Sequence, residues 1–312
     1  MKITITDEYG GRTIKDWLYE NGVSRALITR LKKTVDGITL NGVHATVRKI
    51  LTPGDILSLD LSDEPGGTLV PTKLPLRILF ENDDMIAPDK PPRMPTHPSH
   101  GHFEDTLANG LAYIFKERGE PFVFRAINRL DRDTSGIVLV AKSQYSASKL
   151  TTLMRSGRIH KTYTAILNGV PEKLKGEIDR PIRRAENSVM LREVCDIDAP
   201  GAKSALTRYE VIETGILLSA DGSEESVSVV RAEPVTGRTH QLRVHFASLG
   251  TPIIGDGLYG TAETVPTPAD LMCDRHALHA SRLVIEGGGT ITIESPLPGD
   301  MKRVIDAIKR KQ

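Results

Sequence analysis

Two hydrophobic periods alternate along the 312-residue chain. Ile14, Trp17 and Leu18 fall at i, i+3 and i+4, the stripe of a short amphipathic helix, and Asn21-Gly22 follows as its stop. Ser24 occupies an N-cap position ahead of a second helix. Leu27, Ile28 and Leu31 line one face of that helix, and Arg25, Arg30, Lys32 and Lys33 line the other. Ile38-Thr39-Leu40 and Val43-His44-Ala45 flank Asn41-Gly42, the dipeptide that best tolerates positive φ at both central turn positions, so a hairpin is predicted. Pro53-Gly54 then turns the chain into a strand at Asp55-Ile56-Leu57-Ser58-Leu59. Residues 1–62 are therefore expected to form a unit of their own. Residues 63–75, with Pro65-Gly66-Gly67, Pro71 and Pro75, are expected to form a linker.

Beyond residue 76 the pattern alternates strand-like runs with short helices and lacks a regular βαβ rhythm. The expected fold class is α+β, with a mixed, mostly antiparallel sheet over residues 76–312. Phe122-Val123-Phe124 and Ile137-Val138-Leu139-Val140-Ala141 are predicted as buried strands on either side of a charged loop. Ser143 caps a predicted helix bearing Ala147, Leu150, Leu153 and Met154, and Gly157 ends it. The next strand places Tyr163, Ala165 and Leu167 on one face. Residues 226–232 are predicted as a further strand. Residues 240–249 are predicted as a helix stopped by Gly250.

Composition narrows the class without naming it. With 39% hydrophobic and 26% charged residues, the chain has the profile of an ordinary globular protein. It has no apolar run of about 18 residues, so no membrane span is expected. Cys195 and Cys273 stand far apart, which argues against a disulfide framework or a cysteine-built zinc site. A cytoplasmic monomer is expected. The net charge of +1 hides a local excess: between Arg125 and Tyr163, eight Lys and Arg residues face only Asp131 and Asp133. A local surplus of that kind attracts phosphate whatever the total charge.

Three segments carry the candidate chemistry. They are Asn128-Arg129-Leu130-Asp131-Arg132-Asp133-Thr134-Ser135-Gly136, Lys161-Thr162-Tyr163-Thr164-Ala165 and Gly237-Arg238-Thr239-His240-Gln241-Leu242-Arg243. Taken singly, the first is a charged turn, the second a strand with a core tyrosine, and the third a basic turn. In this order they resemble the RluA family of RNA pseudouridine synthases, in the RluC- and RluD-like arrangement. One departure is Asn128, where the family usually has His. Gly255-Asp256-Gly257-Leu258-Tyr259-Gly260 and Leu278-His279-Ala280 add family-like signatures. The helix, basic helix, Asn-Gly turn and final strand of the first 62 residues resemble an S4 RNA-binding domain, with Arg25, Arg30, Lys32 and Lys33 as its RNA contacts.

The resemblance implies isomerisation of uridine in structured RNA, most readily large-subunit ribosomal RNA, without metal or cofactor. It assigns Asp131 as nucleophile, Arg238 as the arginine paired with it, and Tyr163 as the ring against the target base. A carboxylate suits attack at a sugar carbon or stabilisation of positive charge there. A helix following the Asp131 loop is expected to add positive charge from its N-terminus. Arg129 is implied beside the stack vacated by the extruded nucleotide, and Arg132 and Lys161 are further substrate contacts. Thr134, Ser135 and Gly136 are expected to shape the loop, and Asp133 is not implied in the chemistry.

Three other readings remain open at this stage: a ribosome-associated binder without catalysis, a synthase acting on transfer RNA, and a metal-dependent hydrolase built on His97, His100 and His102 with Glu104 and Asp105. The last lacks ligand spacing on a helix, and Pro95, Pro98 and Gly101 make the segment a loop. Asp89-Lys90-Pro91-Pro92 ahead of it resembles a family segment that serves as scaffold.

Overall fold

The computed structural model describes residues 1–61, 69–218, 224–260 and 273–309. Much of the expected linker, residues 63–68, lies outside the described residues. Two compact units emerge. The first contains Met1–Ala87, Pro98–Arg129 and Val138–Arg158; the second contains Pro88–His97, Leu130–Ile137 and Ile159–Gln312. The partition groups the N-terminal segment with two later stretches of chain.

Along the chain run strand β1 (Lys2–Thr4), helices α1 (Ile14–Glu20) and α2 (Arg25–Lys33), strands β2 (Ile38–Leu40), β3 (Val43–His44), β4 (Ile56–Leu59), β5 (Arg77–Glu81) and β6 (Met85–Lys90), then helix α3 (Leu107–Glu117). Strands β7 (Ser135–Ile137) and β8 (Val140–Ala141) follow, then helix α4 (Gln144–Arg155) and strands β9 (Ile159–Asn168), β10 (Lys175–Asp179), β11 (Ile182–Arg184) and β12 (Arg192–Val194). The chain continues with β13 (Leu206–Leu218), β14 (Glu224–Pro234), α5 (Gln241–Ser248), β15 (Leu278–Glu286), β16 (Thr290–Glu294) and α6 (Gly299–Ala307).

In the first unit, Thr13 and Asp16 form a reciprocal capping box that starts α1, and the Ser24 hydroxyl accepts from the Leu27 amide (3.2 Å) to start α2. Both helices turn their apolar stripes onto a four-stranded antiparallel sheet of order β1-β4-β2-β3. Asn41 and Gly42 both take positive φ (54° and 80°), the geometry expected of the hairpin turn. Trp17, Leu18, Leu31, Leu57 and Leu59 are buried together, each worth about 1.5–3 kcal/mol of burial. In the same unit β8 pairs with the start of β6, and Ser143 caps α4. The expected strand at Phe122–Phe124 is absent. Phe122 instead stacks flat on Phe115 (4.2 Å between centroids) and meets Phe124 edge-on, so aromatic packing wins over strand pairing there. Asn128 Oδ1 accepts the Leu139 amide (2.7 Å) and braces the loop.

The second unit is a sheet of order β10-β13-β14-β9-β15-β7, joined by the last residues of β6 and with β16 on β15. Its ladders are antiparallel except for the parallel pair β7–β15, in keeping with the expected α+β class. Tyr163 on β9 sits between Ala232 on β14 and Ala280 on β15. Small neighbours on both flanks leave space for the ring. Gly136 has φ of 110°, and a Cβ there would come within 2.3 Å of the Ala280 carbonyl oxygen. Gly136→Ala is therefore expected to lower stability by at least about 3 kcal/mol, combining a disallowed φ with a backbone clash. A thermal melt within a degree of the native protein would contradict this.

Candidate active site

The Asp131 loop is held from below by buried polar groups of the second unit. Lys90 is fully buried, and its Nζ donates to the carbonyls of Pro91, Met94 and Arg132 (2.9, 2.8 and 2.9 Å). Burial pulls its pKa down to about 7, against the opposing pull of the Asp133 and Asp131 charges. Thr96 exchanges hydrogen bonds with both backbone groups of Leu130 (2.9 and 3.3 Å). On the far side, Thr134 Oγ1 lies 2.8 Å from His276 Nε2 and Ser135 Oγ lies 3.0 Å from His279 Nδ1. Burial and the nearby Arg243 charge push the His276 pKa down to about 4, so its imidazole is neutral where it shares a hydrogen bond with the threonine hydroxyl. Arg275 forks onto Asp300 of α6 (2.7 and 3.1 Å) and reaches the Asp133 carbonyl (2.8 Å), tying the C-terminal helix to the loop.

Asp131 itself is 29% exposed, so a ligand can reach it. Its Oδ2 accepts from Arg243 Nη1 (3.3 Å). The other two nitrogens of that guanidinium, Nε and Nη2, donate to Asp256, whose carboxylate is wholly buried, in a bidentate pair at 2.7 Å for both bonds. Backbone amides of Leu258 and Tyr259 also donate to Asp256 Oδ1 (3.0 and 3.2 Å). Burial works to raise the Asp256 pKa, but the Arg243 hydrogen bonds and charge outweigh it and the net shift is downward. Burial likewise opposes the charge on Arg243, yet Asp256 and Asp131 together raise its pKa. Arg243 is thus a fixed cation that one acid anchors and a second acid meets.

His240 completes the group from the other side. It adopts left-handed backbone angles (φ 57°) at the N-cap of α5, uncommon for a residue other than glycine. Its Nδ1 lies 2.8 Å from the Tyr259 hydroxyl and its Nε2 lies 3.9 Å from Asp131 Oδ2. Tyr259 Oη accepts from the Arg192 amide (3.0 Å). The proton assignment that satisfies this chain has Tyr259 donating to Nδ1 and the imidazole proton on Nε2, toward Asp131. Burial lowers the His240 pKa, with Asp131 pulling the other way.

Tyr163 is 8% exposed, and burial followed by the Asp131 charge raises its pKa, so its hydroxyl is protonated at neutral pH. Lys161, two residues earlier on β9, is half-buried, and burial lowers its pKa. A Cβ on Gly237 would lie 3.8 Å from Lys161 Nζ, which brings the second and third motifs together.

Two expectations about the acid's surroundings are corrected. Arg238 does not pair with Asp131: it is exposed, and its Nε donates to the Ser204 carbonyl (2.9 Å). Its own amide donates to Gln241 Oε1 (2.9 Å), which holds the turn before α5, whereas Arg243 lies inside the helix. The expected helix after Asp131 is also absent, since the loop runs into β7; the positive charge beside the acid comes from Arg243. His240, Arg243, Asp256 and Tyr259 lay within quoted motifs without an assigned role. Arg243 lies in the same Gly237–Arg243 motif as Arg238, so a second arginine of that motif was available in the sequence as the partner of Asp131, whereas nothing local marks Asp256 or Tyr259.

The remaining residues are scattered over the surface. Arg129 is exposed, and Arg132 is exposed and paired with its neighbour Asp133 (3.2 Å). Arg25, Lys32 and Lys33 are exposed on α2, while Arg30 is half-buried with Nη2 on the Asp60 carbonyl (3.2 Å). In the histidine-rich loop, His102 Nδ1 and Asp105 Oδ2 are in hydrogen-bond contact at 2.6 Å. Among the described residues no group of three or more His, Cys, Asp or Glu is placed to hold a metal.

Comparison with known proteins agrees with this architecture. Residues 84–248 match the family described as RNA pseudouridylate synthase. YjbO of Bacillus subtilis (strain 168), an uncharacterised RNA pseudouridine synthase, is 32% identical over 298 residues, which cover 94% of this chain and 98% of the relative. Ribosomal large subunit pseudouridine synthase D of Haemophilus ducreyi is 30% identical over 97% of this chain and 87% of its own. The solved structure of human RNA pseudouridylate synthase domain containing 1 superposes with a TM-score of 0.57 at 28% identity, covering 75% of this chain and 86% of that one. From the ordered motifs, the mostly antiparallel α+β fold and these matches together, the chain belongs to the RluA-type RNA pseudouridine synthases and is an RNA-acting isomerase.

Proposed function

We propose that this isomerase converts uridines of large-subunit ribosomal RNA in the cytoplasm, with Asp131 as nucleophile. The observation that carries the role of Asp131 is its setting: a solvent-reachable carboxylate held by a guanidinium that a second, buried carboxylate keeps in place. In the proposed sequence, Asp131 attacks ribose C1′ as the bond to uracil N1 breaks. The base leaves as its N1 anion and turns, and C5 bonds to C1′ with release of the carboxylate. The C5 proton then passes to solvent water while N1 takes one up from water, so the product is an isomer of the starting uridine. Arg243 orients Asp131 throughout and balances its charge. Tyr163 lies against the base, and its protonated hydroxyl serves as a hydrogen-bond donor rather than as a base at neutral pH.

Reaching C1′ and C5 requires the nucleotide to leave its stack, at a cost of a few kcal/mol. Arg129 occupies the vacated place, while Lys161, Arg132 and the exposed Arg238 contact flanking phosphates. Residues 1–62 act as an S4-like domain that grips RNA through Arg25, Lys32, Lys33 and the partly pinned Arg30. The ribosomal assignment draws on relatives named as large-subunit synthases. Pseudouridine mapping of total RNA from cells with and without the protein tests the reading. Loss of large-subunit sites is the expected result; loss confined to transfer RNA would overturn the substrate, and an unchanged map would overturn the function.

A further inference from the structure

Within the first unit, α2 and α4 enclose a cleft of about 570 Å³. Four arginines line it: Arg25 and Arg30 from α2, Arg125 from the stretch before the Asp131 loop, and Arg155 at the end of α4. Its described lining contains no carboxylate and no aromatic ring, and the hydroxyls of Ser148 and Thr151 sit on the α4 side. The walls are tied together. Ser148 Oγ accepts the Ser24 amide (2.5 Å) and donates to the Gly22 carbonyl (2.8 Å), bridging the start of α2 to the middle of α4. Tyr145 of α4 packs on the N-terminal apolar core. Arg30 and Arg125 are held by bonds to the Asp60 and Val123 carbonyls (3.2 and 3.1 Å), while Arg25 and Arg155 are exposed.

We infer that this cleft binds the sugar-phosphate backbone of the substrate RNA, at a segment away from the target uridine. The inference rests on the RNA-acting reading above and adds a site shared by the N-terminal segment and α4. Charge selects the occupant: four guanidiniums without a lining acid suit successive phosphates, to which arginine forks offer paired donors. The volume falls within the range of about 300–1,000 Å³ usual for ligand sites. With no ring to stack a base, the cleft grips the backbone and carries no sequence preference. Because the walls are already joined, α2 and α4 stand at a set spacing before RNA arrives, with Arg30 and Arg125 held in place and the exposed Arg25 and Arg155 able to adjust to it.

The test is a salt titration of binding to a transcribed, structured fragment of large-subunit ribosomal RNA. It compares the full-length protein with the double variants Arg25→Ala/Arg155→Ala and Lys173→Ala/Lys175→Ala, the latter removing two exposed cations of β10 or its approach. The cleft variant is expected to bind about tenfold more weakly at moderate salt, with the slope of log affinity against log salt reduced by about 2. The β10 variant is expected to keep the native slope. Equal losses in both variants would reduce the effect to net charge, and unchanged binding in the cleft variant would mean that RNA does not occupy it; either result overturns the inference. Normal cleft-dependent binding by a protein that forms no pseudouridine would instead sink the catalytic proposal and leave the cleft standing.

Discussion

Asp131→Asn is expected to lower turnover by at least about 10⁴-fold, the scale on which enzymes lose rate when a nucleophile or its orienting acid is removed. The amide has nearly the shape of the carboxylate and keeps an oxygen for Arg243 Nη1, 3.3 Å away in the native protein. It has lost the negative charge that attack at C1′ requires. RNA affinity is expected to stay within about threefold, because backbone phosphates rather than this acid supply most of the binding. Single-turnover pseudouridine formation and equilibrium RNA binding, measured on the same preparation, separate the two effects. Native turnover in this variant would remove Asp131 from the chemistry, and a parallel collapse of binding would make it an RNA contact instead.

Arg243 is expected to be the most damaging second target, for two separable reasons. Arg243→Ala strands the Asp256 carboxylate, fully buried, with only the Leu258 and Tyr259 amides as donors. Breaking one side of a buried ion pair costs about 3–5 kcal/mol. In the native protein the lowered Asp256 pKa gives stability that is present above the unfolded value of 3.8 and lost as pH falls through the folded one. Without Arg243 only desolvation and the two amides remain, the folded pKa rises, and stability falls as pH increases. The deficit relative to the native protein should therefore be largest near neutrality and shrink toward pH 4, as a series of thermal melts would show.

Arg243→Lys keeps a charge but cannot fork onto Asp256 and reach Asp131 together, and turnover should fall by about 10²–10³-fold. The double change Arg243→Met with Asp256→Leu removes both buried charges and should recover most of the stability without the activity. Arg238→Ala, by contrast, should shift stability by no more than about 0.5 kcal/mol, as an exposed side chain does. Recovered turnover in the Met/Leu protein, or equal damage from Arg238→Ala, would contradict this division of labour.

Much of the local architecture was legible before any coordinates. The capped helices α1, α2 and α4 and the Asn41-Gly42 hairpin follow from interactions within a few residues, and they form where the pattern predicts. Phe122–Phe124 departs from its pattern because the competing partner, Phe115, is supplied by another element. Lys90 was read as scaffold, and it does brace the loop. Its three acceptors, however, include the Arg132 carbonyl, 42 residues away, which no local pattern announces.

The amino-acid order by itself determined the family, the α+β class and Asp131 as the acid to watch, because motif residues and periodicity are written in neighbouring positions. Only the tertiary structure decided which arginine meets that acid. Arg238 and Arg243 are five residues apart in one motif, and the choice depends on where α5 begins and on Asp256 lying opposite its first turn. An ion pair spanning 112 positions is selected by the path of the sheet and the direction of a helix face, and these exist only once the chain has folded.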